Sequence, residues 1–238
     1  MDSTIHTIKT LPVTRAETEE VEAVKVKIPE ITQIFATEKI EKLKPKPVYS
    51  IIKRFLDILL SLCGLIVLFI PMLIIGIAVK IDSKGPAIYK QKRLGKNGKP
   101  FTMRKFRSMY IDAEKNGLQW AEVNDPRVTR VGRFLRNTHL DELPQLFNIL
   151  AGQMSFIGPR PERAEYYEVF EQYIDGFSQR LLVKPGLTGL AQVNGGYNIG
   201  PEEKIVYDIE YIKKRSLKLD IQILFKTIIV VFKRQDVR

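Results

Sequence analysis

Cysteine and histidine are nearly absent from this sequence, whose 238 residues include one cysteine and two histidines. The single cysteine, Cys63, cannot form a disulfide within the chain, which is typical of a protein in a reducing compartment. No zinc-ligand cluster and no Ser-His-Asp set is evident. A metal site in this chain must therefore depend on carboxylates, which favours Mg²⁺.

Acidic residues are also fewer than basic residues. Lysine and arginine total 38, against 27 aspartates and glutamates, which gives a formal charge of +11. Residues 1–50 hold 8 basic and 8 acidic side chains, so the whole excess lies in residues 51–238. Such a surplus favours anionic partners, namely lipid headgroups, phosphorylated substrates or nucleic acid. Nucleic-acid readers normally pair basic residues with exposed aromatic residues or a known motif, and neither is evident here, so we expect no nucleic-acid partner.

Residues 1–50 show no sustained apolar periodicity. The stretch 28–43 is compatible with a helix, which Pro45 and Pro47 would end. The apolar core of a signal peptide is missing from this region. We therefore predict a mostly disordered, charge-balanced tail and linker.

Residues 55–81 form the strongest hydrophobic run, and residues 58–79 carry no charge. That length suits a helix that spans a bilayer. Two residues argue against it: Pro71 interrupts the run, and Asp57 lies at its beginning. Basic residues flank the run on both sides: Lys53, Arg54, Lys80, Lys84, Lys90, Lys92 and Arg93. Because the positive-inside rule then places both ends on the cytoplasmic side, we predict a kinked, re-entrant membrane helix over residues 51–82.

The next region reads as a small β-hairpin. Residues 87–92 and 100–109 are predicted strands, joined by a loop at residues 95–99 that contains two glycines. The second strand would bring Lys105 and Arg107 towards the acidic residues described next. A solvated basic strand is the alternative for these two side chains.

Two adjacent carboxylates, Asp141 and Glu142, stand immediately before a helical pattern that ends at Gly152. Four apolar residues follow at helical spacing: Leu143, Leu146, Phe147 and Leu150. Since Pro144 suits only the first turn of a helix, the pattern predicts a helix start near Asp141, where the helix dipole favours ionised carboxylates. An ionised aspartate there can act as a nucleophile or bind a metal. The alternative is that Asp141 merely caps the helix.

Basic residues surround this carboxylate pair in the sequence. Arg130, Arg133 and Arg136 precede it, and the rigid loop 158–161, with the sequence GPRP, follows it. Either these arginines form an ordinary solvated face, or they contact phosphate or lipid headgroups. The short distance along the chain from Arg136 to Asp141 favours contact.

The remaining chain is predicted to be largely helical. Residues 162–177 read as an amphipathic helix and residues 201–215 as a charged helix. The glycine-rich stretch 185–196 lacks the ending of a nucleotide-binding P-loop. Residues 219–232 are apolar but too short to span a bilayer, which indicates an interfacial helix, with a buried core helix as the alternative.

Four motifs together carry a family resemblance: KFRSM at 105–109, DPRVTRVGRFLR at 125–136, LDELPQLFNILAGQMSFIGPRP at 140–161 and PGLTGLAQVNG at 185–195. With them the chain resembles the bacterial sugar transferases, the monotopic polyprenyl-phosphate phosphoglycosyl transferases, over about residues 53–232. The resemblance implies an α+β fold, mainly helical and monotopic, with a re-entrant kinked membrane helix, a small β-hairpin and interfacial amphipathic helices. The expected domains are a tail at 1–50, the membrane helix-hairpin at 51–82 and a cytoplasmic catalytic domain at 83–238.

The resemblance also implies a reaction, in which a sugar 1-phosphate passes from a UDP-sugar to undecaprenyl phosphate at the cytoplasmic face of the bacterial inner membrane. Asp141 would be the nucleophile and Glu142 would assist it, and both carboxylates would be available to Mg²⁺. Matching motif positions assign five residues to substrate binding: Lys105, Arg136, Pro159, Arg160 and Pro161. Expected partners are the two substrates, the anionic lipids of one leaflet and downstream glycosyltransferases. The alternative function is a non-catalytic, membrane-attached basic module that binds or scaffolds other molecules.

Overall fold

Two consecutive apolar helices meet at a sharp bend. The computed structural model describes residues 35–115, 117, 125–195 and 199–233, and it places helix α1 at Pro47–Val67 and helix α2 at Phe69–Asp82, bent by 64°. Pro71 has no N–H to donate to the carbonyl of Val67, so the helix breaks at Leu68, three residues before the proline. Within the described residues no single helix is long and apolar enough to cross a membrane, and only this bent pair meets that test jointly.

The side chains of the bent pair are unusually exposed for apolar residues. Exposed positions include Ile51, Phe55, Ile66, Val67, Phe69, Ile70, Ile74, Ile77 and Ile81. The buried residues of α1 are instead two polar ones, Asp57 and Ser61. The pair therefore turns its apolar surface outward and its few polar groups towards the rest of the protein.

The beginning of α1 is anchored to the domain by polar contacts. Arg54 donates hydrogen bonds to the carbonyls of Ile149 and Leu150, at 2.7 and 2.8 Å. The Asp57 carboxylate accepts from the Ser155 hydroxyl and the Phe156 N–H, at 3.0 and 3.1 Å. The Arg54 bonds satisfy two carbonyls at the end of the helix that contains Ile149 and Leu150, and the bonds to Asp57 satisfy a buried carboxylate.

The end of α2 returns to the same domain. The buried Arg107 donates to the carbonyls of Val79, Ser83 and Lys84. Arg107 thus closes the turn that follows α2 and does not join the carboxylates, contrary to the prediction from sequence. Both ends of the bent pair are held by one folded unit.

The predicted hairpin is present. Strands β2 (Ile88–Leu94) and β3 (Pro100–Phe106) pair antiparallel, from Ile88 opposite Phe106 to Leu94 opposite Pro100. The turn between them uses Asn97 and Gly98 with positive φ angles of 57° and 71°. Asparagine and glycine are the residues that tolerate this backbone best, which explains the loop.

Six further helices and short strands complete the fold. The helices are α3 (Arg130–Asn137), α4 (Gln145–Leu150), α5 (Ala164–Phe170), α6 (Leu190–Gly195), α7 (Pro201–Lys214) and α8 (Leu217–Lys233). Strand β1 (Phe35–Ala36) pairs parallel with β5 (Ile174–Asp175), and β4 (Ser155–Ile157) pairs parallel with β6 (Gly186–Thr188). The predicted mixed, mainly helical architecture is confirmed.

Three predictions about these segments need correction. The helix predicted over 162–177 is limited to α5, because the chain then forms β5 and turns at Gly176, whose φ is 84°. Residues 35–43 of the stretch 28–43 form β1 and non-helical structure, while residues 28–34 lie outside the described residues. Helix α1 begins at Pro47, four residues before the predicted boundary, because proline favours the first turn of a helix.

Helix α8 has features of both predicted alternatives, the interfacial helix and the buried core helix. Ile223 is fully buried and packs with Tyr211 and Ile212 of α7. The opposite face exposes Ile221, Phe225, Ile228 and Ile229. One face of α8 therefore belongs to the core and the other presents an apolar surface.

Candidate active site

Asp141 and Glu142 lie in a single 3-10 turn, Leu140–Glu142, between α3 and α4. His139 enters this turn with a positive φ of 56°, and the α-helix begins only at Gln145, after Pro144. The predicted helix start near Asp141 is thus displaced by four residues. Both carboxylate residues are buried, at 8% and 9% exposure, so neither is a surface helix cap.

Glu142 receives two cationic side chains from distant parts of the chain. Lys105 Nζ on β3 donates to Glu142 Oε1 at 2.6 Å, and Arg160 Nη2 after β4 donates to the same oxygen at 2.7 Å. Three residues predicted from sequence therefore meet in one cluster. Among the residues that the structure describes, none donates a hydrogen bond to the Asp141 carboxylate, which leaves that group available for chemistry.

The two carboxyl groups differ in their electrostatics. Burial alone would raise the pKa of Glu142, but the charges of Arg160 and Lys105 outweigh it and hold that pKa well below its usual range. Burial raises the pKa of Asp141, against the opposing charges of Lys105, Arg136 and Arg160. Asp141 does not lie at the helix terminus that was expected to favour its ionised form, and burial acts in the opposite direction.

Arg136 reaches the site on α3, and its position is set by Ser108. Arg136 Nε donates to the Ser108 hydroxyl at 2.9 Å. The Ser108 carbonyl accepts from the N–H of Thr129, whose own hydroxyl caps α3 by accepting from Gly132. A Cβ on Gly132 would lie 2.0 Å from the Ser108 carbonyl oxygen, so only glycine allows this close approach.

The backbone of the GPRP loop, together with Glu162 directly after it, is held at four consecutive carbonyls. Gly186 N–H donates to the Pro159 carbonyl at 2.9 Å, and Arg180 Nη2 donates to the Arg160 carbonyl at 2.8 Å. Arg93 Nη1 donates to the Pro161 carbonyl at 3.3 Å, and Leu94 N–H donates to the Glu162 carbonyl at 3.1 Å. The two prolines fix φ on either side of Arg160, so the loop presents that side chain from a rigid backbone.

Asn148 fixes the hairpin against α4. The buried Asn148 amide donates to the Thr102 carbonyl at 2.7 Å, and its oxygen accepts from the Arg104 N–H at 3.1 Å. Because Arg104 directly precedes Lys105, this bridge fixes the position of β3 from which Lys105 reaches Glu142. A buried carboxylate pair, three cationic side chains and the contacts that fix them form a site suited to a phosphorylated substrate.

The comparison with known proteins agrees with this chemistry. The family model for the bacterial sugar transferases matches residues 48–234. The chain belongs to the bacterial sugar transferase family. The predicted resemblance is confirmed, and it covers the bent helix pair as well as the carboxylate site.

Curated relatives of this sugar transferase are similar over about three quarters of its length. A UDP-N-acetylgalactosamine-undecaprenyl-phosphate N-acetylgalactosaminephosphotransferase of Aeromonas hydrophila is 45% identical over 78% of this chain. A UDP-glucose:undecaprenyl-phosphate glucose-1-phosphate transferase of Klebsiella pneumoniae is 46% identical over 75%, and a galactosyl transferase CpsE of Streptococcus agalactiae is 41% identical over 77%. The matched regions are 45%, 39% and 42% of those proteins, so the sugar transferase chain spans less than half of each relative.

The carboxylates of the sugar transferase fit the predicted Mg²⁺. Among the described residues no group of three or more histidine, cysteine, aspartate or glutamate side chains forms a metal cluster. Mg²⁺ commonly takes only one or two protein carboxylates and completes its shell with waters and substrate phosphates. Asp141 and Glu142, adjacent in one turn, meet that requirement, and Mg²⁺ binding stays a prediction.

Arg130 lies away from the carboxylates, beside an apolar groove of about 420 Å³ between α2 and α3. The rest of the lining is apolar: Ile74, Ile75, Ala78, Val131, Phe134 and Leu135. Helix α3 thus carries Arg136 towards the carboxylate pair and Arg130 towards the exposed helix pair.

The sequence did not single out several residues that build this site. Arg93, Ser108, Asn148 and Arg180 act on partners between 28 and 69 residues away in the chain or on the backbone of a distant loop. Ser108 and Asn148 lie inside the motifs that carry the family resemblance and Arg93 lies in a basic stretch, but none of these patterns identifies the group that the side chain binds.

Proposed function

We propose that this chain transfers a sugar 1-phosphate from a UDP-sugar to undecaprenyl phosphate, giving undecaprenyl diphosphate sugar and UMP. The carrying observation is the buried pair Asp141 and Glu142, which lies under the charges of Lys105, Arg136 and Arg160. A reaction that joins two polyanions needs such charge screening, and burial strengthens each electrostatic contact. The names of the curated relatives, which act on UDP-sugars or undecaprenyl phosphate, support the same reaction.

In the first step an Asp141 carboxylate oxygen attacks the sugar-bearing phosphorus. The bond from that phosphorus to the bridging oxygen breaks, and UMP leaves with the electron pair, so that an aspartyl phosphosugar remains. The higher pKa of buried Asp141 makes it more basic and, once ionised, a better nucleophile. Lys105, Arg136 and Arg160 stabilise the charge that develops on the phosphate oxygens.

In the second step an oxygen of undecaprenyl phosphate attacks the same phosphorus and releases Asp141. Glu142 orients the cationic side chains, because Lys105 and Arg160 both bind its Oε1 atom. Pro159 and Pro161 flank Arg160 and shape the substrate side of the loop. Mg²⁺, held by Asp141 and Glu142, would supply further charge neutralisation to the diphosphate.

The bent helix pair supports a location of this chemistry at a membrane. The outward apolar surface of α1 and α2, and the common anchoring of their two ends, support a monotopic, re-entrant attachment to one leaflet with anionic lipids. The exposed apolar face of α8 adds an interfacial element. The catalytic domain and the tail then share the cytoplasmic face of the bacterial inner membrane, where UDP-sugars are available.

The groove between α2 and α3 gives the lipid acceptor a route to the site. Its apolar lining suits an isoprenoid chain, and Arg130 at its edge suits a phosphate group. Helix α3 also carries Arg136, whose charge acts on Asp141, so one helix connects the groove with the carboxylate pair.

The product would be the first lipid-linked intermediate of a capsule, exopolysaccharide or other glycan, to be extended by downstream glycosyltransferases. The sugar is left open, because the relatives' names specify N-acetylgalactosamine, glucose and galactose. A panel of UDP-sugars, each with undecaprenyl phosphate and Mg²⁺, tests the proposal by UMP release. We expect one or more donors to release UMP with catalytic turnover, and only when undecaprenyl phosphate is present.

The competing function is a non-catalytic, membrane-attached basic module that binds or scaffolds other molecules. It predicts no UMP release from any donor and no dependence on Mg²⁺. The buried carboxylates favour the enzyme, since a scaffold gains nothing from placing two acids inside a cationic cluster at a desolvation cost.

A further inference from the structure

Arg180 has no contact with the catalytic carboxylates, yet it holds the main chain of Arg160. It lies in the 3-10 segment Phe177–Leu182, where Nη2 donates to the Arg160 carbonyl at 2.8 Å and Nε donates to Asp208 Oδ2 at 2.7 Å. Its guanidinium also lies over the Phe177 ring, 4.8 Å from the ring centroid. A continuous set of contacts therefore runs from Asp208 on α7 through Arg180 and Arg160 to Glu142.

The Arg180–Asp208 ion pair is poorly explained by stability alone. Both side chains are 1% exposed. Arg180 Nη1 and Asp208 Oδ1 are also buried, and neither has a hydrogen-bond partner among the residues that the structure describes. Buried ion pairs with incomplete hydrogen bonding often contribute little to stability, so this pair is better explained by the backbone that it holds in place.

The geometry of this contact requires arginine. The planar guanidinium directs Nε at Asp208 and Nη2 at the Arg160 carbonyl in two fixed directions, which the single nitrogen of a lysine cannot reproduce. Gly186 and Arg93 hold the neighbouring carbonyls of Pro159 and Pro161. Arg180 therefore holds the carbonyl of Arg160, the residue whose side chain binds Glu142.

We propose that Arg180 is a positioning residue, which together with Asp208 fixes the Arg160 backbone so that the Arg160 guanidinium is held at Glu142 and at the substrate diphosphate. The proposal rests on the proposed transferase function for its kinetic consequence. It also has a structural consequence that does not depend on any activity, namely the rigidity of the GPRP loop and of residues 162–163 after it.

A double-mutant cycle tests the kinetic consequence, with UDP-glucose and UDP-N-acetylgalactosamine as donors and undecaprenyl phosphate as acceptor. Arg180→Lys keeps a positive charge beside Asp208, and we expect it to lower kcat/KM by about tenfold in the otherwise wild-type enzyme. In an Arg160→Ala background the same change should cost less than about twofold, since the side chain to be positioned is gone. An equal loss in both backgrounds would overturn the proposal.

Arg215→Lys is the matched control. Arg215 is another buried arginine that donates to backbone carbonyls, from Nη1 to Ile212 and from Nη2 to Lys44, both at 2.6 Å, and it has no contact with the site. We expect it to lower thermal stability as Arg180→Lys does while leaving kcat/KM unchanged. A comparable fall in kcat/KM for both variants would indicate general destabilisation and contradict a positioning role.

Hydrogen exchange of the peptide covering residues 158–163 separates this proposal from the transferase reaction. Arg180→Lys should accelerate exchange there in the full-length protein, whereas Arg215→Lys and Arg160→Ala should not. If the wild-type protein released UMP from no donor, the transferase function would fail and exchange alone would decide the role of Arg180. Unchanged exchange in Arg180→Lys overturns the positioning role in either case.

Discussion

Arg160 Nη2 lies 2.7 Å from Glu142 Oε1, although the two residues are 18 positions apart in the chain. The contact neutralises one carboxylate of the adjacent pair and leaves the other, Asp141, as the acid without a hydrogen-bond donor among the described residues. The pKa of Glu142 is held low while burial raises that of Asp141. Two neighbouring acids with opposite pKa shifts are typical of sites in which the two have different roles.

The assignment of the nucleophile predicts the result of Asp141→Asn. The change keeps the size of the side chain but removes the attacking oxygen anion, so we expect nearly complete loss of UMP release with the fold retained. A radiolabelled donor should label the wild-type chain covalently and should not label the variant. Asp175→Asn, at an exposed carboxylate paired with Lys39, is the control and should be fully active. Retention of about a third of the wild-type rate by Asp141→Asn would show that another group attacks.

The cationic cluster predicts a graded loss on removal of Arg160. A charge-assisted hydrogen bond to phosphate contributes about 1.5–3 kcal/mol, so Arg160→Ala should slow turnover by roughly ten- to a hundredfold. Lys105→Ala and Arg136→Ala should fall in the same range. Arg163→Ala, which removes a nearby arginine paired with Glu114, should be close to wild type. Unchanged steady-state kinetics in all three cluster variants would contradict their assignment to phosphate binding.

The sequence allowed this cluster to be predicted because each of its members lies in a long motif. It did not allow the contacts that hold the cluster to be predicted. Arg180 and Asn148 donate hydrogen bonds to backbone carbonyls. Because every residue has a carbonyl, the sequence does not show which one is bound. Arg107 shows the converse error, since its motif neighbour Lys105 reaches the site while Arg107 turns to the end of α2.

Local backbone chemistry was the most predictable part of the fold. The Asn97–Gly98 turn and the interruption near Pro71 both follow from φ preferences and the missing proline N–H. Energetic competition was less predictable. The predicted helix start favoured ionised Asp141, but the α-helix begins only at Gln145 and burial of the 3-10 turn raises the pKa of Asp141. That burial depends on packing against residues far away in the sequence.

The groove between α2 and α3 predicts a selective defect in the second step. Ala78→Trp would fill the groove and exclude an isoprenoid chain, while the carboxylate cluster is untouched. We expect labelling of the enzyme by a radiolabelled donor to be retained and transfer to undecaprenyl phosphate to be slowed. Ile77→Trp is the control, because Ile77 is exposed next to the groove without lining it. Equal transfer rates for the two variants would place the lipid chain elsewhere.

The last prediction concerns membrane topology. The apolar part of α1 beyond its anchors, residues 58–67, has 10 residues and is about 15 Å long at 1.5 Å per residue, about half of the 30 Å core of a bilayer. The end of α2 is bound by Arg107, which belongs to the same domain that holds the beginning of α1. The tail and the catalytic domain should therefore lie on the same, cytoplasmic side.

Single cysteines at position 3 of the tail and at exposed Lys115 test this topology, each introduced in a Cys63→Ser background. A membrane-impermeant thiol reagent should label neither Ser3→Cys nor Lys115→Cys in intact cells, and both after the cells are opened, which also shows that both sites are reactive. A spanning helix would place the tail outside while the arginine-rich domain stayed inside, because positive charge resists translocation. Labelling of position 3 alone in intact cells would therefore exclude the re-entrant arrangement and indicate a conventional transmembrane anchor.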